Sequence, residues 1–426
     1  MDKHTVIALA IFAAAYALLI WDKIDRAVVA LLGAMILLTL GVMNQEAALH
    51  GIDFNTLGLL IGMMVIVGIT QKTGVFQYLA IKCAKLAKGE PWRILVYLSI
   101  LTAILSAILD NVTTVLLIAP IMLLITDELK ISPYPFLFSL ITASNIGGAA
   151  TLIGDPPNIM IGSAVGLTFM DFLIYVAPLM PFIMIATFAV LYVIFGRKMR
   201  VDNALKQKIM SFREIEAIKN PKLLKKSLFV LGLTVTGFIL HGVLHLEAAT
   251  IALFGASLLM LITNADFHKT METVEWPTIF FFAGLFVIVH GLVETGVIGL
   301  LANKLIAATQ GDARTTAFYV LWGSAVLSAI VDNIPYVATM IPLIEQMTPY
   351  YAGGETAVRP IWWALSIGAC IGGNGSIIGA SANVIVAGFA ARSGHPIGFV
   401  KFMALAFPLM LFGILISHAY IYLFLL

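Results

Sequence analysis

Residues 105–111 read LSAILDN and residues 327–333 read LSAIVDN, an offset of 222 within one chain. The same offset pairs Lys72-Thr73-Gly74-Val75 with Glu294-Thr295-Gly296-Val297, and Ala27, Ala30 and Gly33 with Ala249, Ala252 and Gly255. Further along it becomes 225, so that IGGAATLIGDPPN (146–158) aligns with IGGNGSIIGASAN (371–383), three extra residues falling near Tyr350 to Glu355. A repeat this long means one structural unit used twice. Each element read in one half therefore needs a counterpart in the other.

Composition says what the unit is made of. The chain has 426 residues, 61% hydrophobic and 11% charged, with mean hydropathy +1.01, whereas soluble domains are about 25% charged. It reads as an all-α polytopic membrane protein. Cys83 and Cys370 are isolated thiols, which excludes a disulfide framework, a zinc site or a redox pair. The opening MDKHTVIALAIFAAAYALLIW has the form of a signal peptide, but its counterpart in the second half makes it the first span. No phosphate loop, nucleophile elbow or zinc motif is present, so the reading is not an enzyme and not an ATP-driven pump. No cofactor and no nucleic-acid partner are expected.

Each half reads as three spans, a helical hairpin, a broken crossing and a final span. In the first half the spans are 5–21, 27–43 and 55–71, the hairpin arms 93–109 and 112–125, the broken crossing 134–165 and the last span 172–195. In the second they are 227–243, 249–265 and 277–293, then arms 315–331 and 334–347, a crossing at 360–391 and a span at 402–424. The segment 134–165 is too long for one ordinary span of about 20 residues and too short for two. Gly147-Gly148 and Pro156-Pro157 are poor helix formers and place the break between them. Segments 76–88 and 297–309 read as interfacial helices.

If each hairpin re-enters on the side it left, every half crosses five times, and an odd number makes the repeats inverted in topology. The resulting domains are 1–195, a basic linker at 196–226 and 227–426. The linker carries ten Lys or Arg and is therefore cytoplasmic. Counting crossings outward from it places 21 basic residues inside, Lys23 and Arg26 among them, against Lys3, Lys304, Arg314 and Arg359 outside. Both termini then lie outside, and the linker reads as a solvated connector. Trp21, Trp92 and Trp276 fall at the inner interface, Trp362 and Trp363 near the outer one.

Three acids lie at membrane depth: Asp110, Asp155 and Asp332. A carboxylate there costs at least about 2.5 kcal/mol, so idle ones are disfavoured. The plain alternative is helix capping, since N-caps favour Asp. Asp110-Asn111 with Thr113 and Thr114 forms one hairpin tip, entering from the cytoplasm; Asp332-Asn333 with Pro335 and Tyr336 forms the other, entering from outside. Each tip is expected against the broken crossing of its own half. Asp110, Asn111, Thr113, Thr151, Asp155 and Asn158 supply hard oxygens suited to Na⁺ or H⁺, with Na⁺ most readily held at Asp110, Asn111 and Asp155. The solute path takes in Asn145, Gly147, Gly148, Asp332, Asn333, Tyr336, Gly372, Gly373, Asn374, Ser376, Ser381 and Asn383. The second half is the more neutral, because Asp155-Pro156-Pro157 becomes Ala380-Ser381-Ala382. Its glycines either leave amides open to an anionic solute or serve close packing. His241 and His245, four apart, lack a third ligand, and lone His290 reads as a packing residue.

The motifs LDNVTTVLLIAP, SNIGGAATLIGDPPN, VDNIPYVATMIP and GGNGSIIGASANVIVAG, in this order over nearly the whole chain, resemble the ion transporter superfamily, in its arsenite-permease/NhaD-type, citrate transporter-like branch. The resemblance implies scaffold and transport regions, elevator-type alternating access and a homodimer. The related divalent anion/sodium symporters carry Ser-Asn-Thr at each tip; the matching residues here are Asp110-Asn111-Val112 and Asp332-Asn333-Ile334. The family's asparagines carry over to Asn111, Asn333, Asn158 and Asn383. An ionised Asp at a tip would repel a dicarboxylate. The sequence thus reads as an ion-coupled secondary transporter of the cell membrane. Cation/proton antiport comes first, ion-coupled transport of an organic or inorganic anion second, and an anion channel is the alternative of another class.

Overall fold

A computed structural model describes residues 2–21 and 23–426, which are helical with no strand among them. The first half runs α1 (Lys3–Trp21), α2 (Arg26–Thr39), α3 (Gln45–His50), α4 (Phe54–Gln71), α5 (Val75–Leu86), α6 (Pro91–Ile108), α7 (Asn111–Glu128), α8 (Tyr134–Ala149), α9 (Pro156–Val165), α10 (Phe169–Tyr175) and α11 (Met180–Ile194). After α12 (Asn203–Met210) in the linker come α13 (Pro221–Leu244), α14 (Ala248–Thr263), α15 (Phe267–Met271), α16 (Trp276–Glu294), α17 (Val297–Thr309), α18 (Ala313–Ile330), α19 (Asn333–Met347), α20 (Glu355–Gly372), α21 (Ser381–Arg392) and α22 (Phe399–Tyr420). Helix starts recur along the chain: α2, α4, α5, α6 and α7 begin 222 residues before α14, α16, α17, α18 and α19, and α9 begins 225 before α21.

Local chemistry fixes these starts. Asp25, Asp53 and Asp312 accept hydrogen bonds from the first free amides of α2, α4 and α18, the usual remedy for donors that a helix leaves unpaired. Gly74 and Gly296 precede α5 and α17 with φ of 82° and 72°, a backbone region that glycine enters without steric cost. Among the described residues, eight helical segments are long and apolar enough to cross a membrane.

The two halves interleave. α2 packs along α16 and α4 along α14, while the hairpins pack on the broken crossings through α6 with α8 and α18 with α20. Exchange continues at the centre, where α7 meets α21 and α19 meets α9. Close approach depends on small residues: a Cβ on Gly62 would sit 2.6 Å from the Ala252 backbone, and one on Gly284 2.6 Å from that of Ala30.

The first crossing breaks between its glycine and proline pairs, as expected: α8 runs through Gly147-Gly148 to Ala149, and the non-helical stretch is 150–155. Pro156 and Pro157 open α9, because their missing N–H groups belong to the first turn, where no helical partner exists. Two expectations need correction. The linker is mostly exposed, but it is docked and not a free connector. Lys206 pairs with Glu90, Lys208 with Glu128 and Lys85 with Glu214, at 2.6, 2.5 and 2.5 Å. Ile209 is fully buried, and the Lys219 amide donates to the Thr73 carbonyl at 2.9 Å. The linker is a strap under the first hairpin. Finally, Trp362 and Trp363 are each 3% exposed, so they are core residues and not an outer belt. Trp363 stacks on Tyr175 and meets Phe172 edge-on.

Candidate functional site

The break in each crossing closes on itself through one asparagine. Asn158 Nδ2 donates to the carbonyls of Ala149 and Thr151 at 3.1 and 2.9 Å, and Asn383 Nδ2 to those of Gly373 and Ser376 at 2.7 and 2.8 Å. These carbonyls are the ones a broken helix leaves free, and inside a membrane they need a partner. Thr151 and Ser376 pin the two breaks to the hairpins, donating to Ala107 and Ala329 carbonyls at 2.6 and 2.5 Å. Gly147 and Gly372 let α8 and α20 touch the backbones of Ala103 and Ala325. Gly148 and Gly373 likewise admit the carbonyls of Gly154 and Gly379. The glycines therefore serve packing, and protein atoms occupy the space they leave.

Side-chain amides then join the halves. Asn145 Nδ2 donates to Asn374 Oδ1 at 3.0 Å and to Asn383 Oδ1 at 2.9 Å. Cys370 stands at the repeat position of Asn145 and directs its thiol to Asn158 Oδ1 at 3.5 Å, which Ser366 Oγ also reaches at 2.7 Å. Cys370 is thus a structural donor in a polar lattice.

The three acids separate into two kinds. Asp110 accepts from the Thr113 amide at 2.7 Å, and Asp332 from the Ile334 amide at 3.0 Å. Both are caps. Asp155 occupies the N-cap of α9 but makes no side-chain cap bond: Pro156 and Pro157 offer no N–H, and the Asn158 backbone amide donates to the Asp155 backbone carbonyl at 2.9 Å. Its carboxylate, fully buried, instead receives Asn111 Nδ2 at 3.1 Å and Asn333 Nδ2 at 3.4 Å. Asn333 thus reaches the crossing of the other half with its side chain, where its own half was expected, although its backbone N–H also donates to Gly379 O in its own half at 3.1 Å. Asn111 Oδ1 and Thr114 Oγ1, buried beside this carboxylate's partner, have no hydrogen-bond partner.

Asp332 has a second role that the sequence does not announce. Arg26 Nη1 lies 2.7 Å from Asp332 Oδ2 and 3.2 Å from Ser381 Oγ, and Ser381 donates to the same carboxylate oxygen at 3.0 Å. Arg26 counts in the sequence only as a basic residue on the inner side. Its signal was available in the repeat, where its counterpart is Ala248. The group borders a cavity of about 490 Å³ lined by Lys23, Arg26, Val112, Pro156, Glu275 and Ser381, among others.

Other candidates fall away from the centre. Tyr336 bonds Ser324 at 3.1 Å, and His290 lies 3.4 Å from Glu294. His241 Nε2 accepts the Phe169 amide at 3.0 Å, and no group of three metal-ligating side chains occurs among the described residues.

Comparison with known proteins agrees with a transport fold. The chain is 46% identical over 402 residues to an uncharacterised transporter of Mycobacterium tuberculosis, covering 93% of each chain. It is 32% identical over 503 residues to the P protein of Homo sapiens, covering 99% of this chain and 60% of that one. Among solved structures, the YdaH transporter of Alcanivorax borkumensis shares the fold with a TM-score of 0.55 at 14% identity, over 96% of this chain and 97% of that one. The citrate transporter family pattern matches residues 16–368. The chain is an integral multi-pass membrane transporter, not an enzyme, and it belongs to the citrate transporter family.

Proposed function

We propose that this chain is an ion-coupled secondary active transporter in which Asp155 carries the coupling cation, Na⁺ or H⁺, and the inner cavity admits a small anion. The observation that carries this reading is Asp155 itself. It is a fully buried carboxylate that caps nothing and is touched by the hairpin tips of both halves, and its chain neighbour Pro156 lines the cavity. A group bonded to both tips senses whether both are in place, which is what coupling requires. The unpartnered oxygens of Asn111 and Thr114 suit a desolvated cation.

The anion comes from the other side of the cavity. Arg26 neutralises Asp332, so the repulsion expected of an ionised tip is removed at the second tip while the pair is intact. This moves ion-coupled anion transport ahead of cation/proton antiport, and citrate, which names the family, is the first solute to test. Antiport remains the second reading, favoured by the same two unpartnered oxygens on the first hairpin tip. The repeats at 1–195 and 227–426 are read as inverted, since the charge bias and the five-crossing count agree. Elevator movement, a homodimer and the plasma membrane belong to this proposal as well.

Proteoliposomes loaded with buffer and given external citrate test it. Accumulation above equilibrium when a Na⁺ or pH gradient is imposed is expected. Flux that follows the citrate gradient alone and ignores both cations would instead identify a channel. Sodium-driven proton movement without citrate would identify the antiporter.

A further inference from the structure

We infer that Arg26 is the residue that recognises the transported anion, and that the Asp332 carboxylate is its resting partner, exchanged for an anionic group of the solute on binding. This rests on the anion-transport reading above. The Arg26 side chain is 20% exposed and borders the cavity, whereas Asp332 is 7% exposed behind it. An entering carboxylate therefore meets the guanidinium before it meets the acid. Guanidinium pairs with planar oxyanions through a fixed fork of donors, so one carboxylate can replace another with little change in geometry.

Exchange is feasible because Asp332 is not stranded by it. The Ile334 amide and Ser381 Oγ, each at 3.0 Å, still serve its oxygens once Arg26 turns to the solute. What Asp332 loses is its positive charge, and a buried carboxylate without one is strongly disfavoured. Anion binding thus creates a place for a cation at the second tip, which ties the two cargoes together. The arrangement occurs once in the repeat: Ala248 replaces Arg26 and Pro156 replaces Ser381 at the matching positions. Asp110 therefore has no equivalent partner from these positions, and the two tips differ in task.

Thermal unfolding of the purified chain in detergent, with sodium citrate, succinate or phosphate against sodium chloride at equal ionic strength, tests the assignment. At least one oxyanion should raise the Tm. Arg26→Gln should abolish that rise, Arg26→Lys should weaken apparent affinity tenfold or more, and Asp332→Asn should strengthen it threefold or more by removing the competitor. Stabilisation unchanged in Arg26→Gln overturns the role of Arg26 while leaving the anion reading intact. If no oxyanion stabilises the parent chain, both fall. Should Arg26→Gln not fold, the opposite shifts of Arg26→Lys and Asp332→Asn decide, and loss in both overturns the exchange.

Discussion

The side-chain amide of Asn333 lies 3.4 Å from both carboxylate oxygens of Asp155, although the two residues belong to different halves of the chain. Asn111, at the matching place in the other hairpin, donates to the same carboxylate at 3.1 Å. One acid is therefore the meeting point of two tips.

Asn111→Ala and Asn333→Ala should each destabilise the protein by about 2 kcal/mol, the cost of leaving a buried charged acceptor short of a donor. Because both act through Asp155, these losses should shrink by at least half in an Asp155→Asn background. Thermal unfolding of the single and double variants in detergent checks this. Fully additive losses would show that the asparagines act independently of the acid.

The glycine positions should divide by what surrounds them. Gly372→Ala places a Cβ 2.7 Å from the Ala325 backbone and should lower stability by about 1–3 kcal/mol. Gly388 lies inside α21 with nothing within 4 Å of a Cβ, so Gly388→Ala should be neutral or gain up to about 1 kcal/mol. The same melting assay reads both.

The strap beneath the first hairpin is electrostatic at its rim. The Lys85 side-chain hydrogen bond holds the Glu214 carboxyl below the usual carboxylate range. A lowered acid stabilises above its unfolded value near pH 4.3 and loses the contribution as pH falls through its folded value. Trypsin should accordingly cut the 196–226 segment faster below about pH 4.3 than at neutral pH, once corrected for protease activity. It should also cut faster at 1 M salt, where screening shortens to about 3 Å. Glu214→Gln should remove part of the salt effect at neutral pH.

Sidedness can be read by labelling. Ser211 and Thr356 are exposed, one in the linker and one at the start of α20. In a chain without its native cysteines, Thr356→Cys should react with a membrane-impermeant maleimide on intact cells. Ser211→Cys should react only after permeabilisation. The reverse pattern would invert the orientation.

Much of this fold was legible because membrane spans and a repeat are both written in local sequence. The hairpin arms expected at 93–109 and 112–125 are the helices Pro91–Ile108 and Asn111–Glu128. The break of the first crossing was legible as well, falling at 150–155 between the Gly147-Gly148 and Pro156-Pro157 pairs. The misreadings have local causes too. The strap looked solvated by composition, yet one buried residue, Ile209, and three lysine pairs dock it. In the site, the acids and asparagines stood out because polar groups at membrane depth are costly. Which tip meets which crossing did not, since contacts across 178 residues, as between Asn333 and Asp155, depend on how the halves interleave. Arg26 was hidden for the same reason: at a span end it looks like any topology-setting charge until Asp332 is beside it.

The central claim is that Asp155 couples the transported ion to the movement of both tips. The most direct measurement is citrate uptake into proteoliposomes under an imposed Na⁺ or pH gradient, comparing the parent chain with Asp155→Asn. Asn keeps the size of the side chain and removes its charge. The account predicts accumulation above equilibrium for the parent, and for Asp155→Asn equilibration only, by protein that melts as a folded species. Accumulation by Asp155→Asn equal to that of the parent would contradict it.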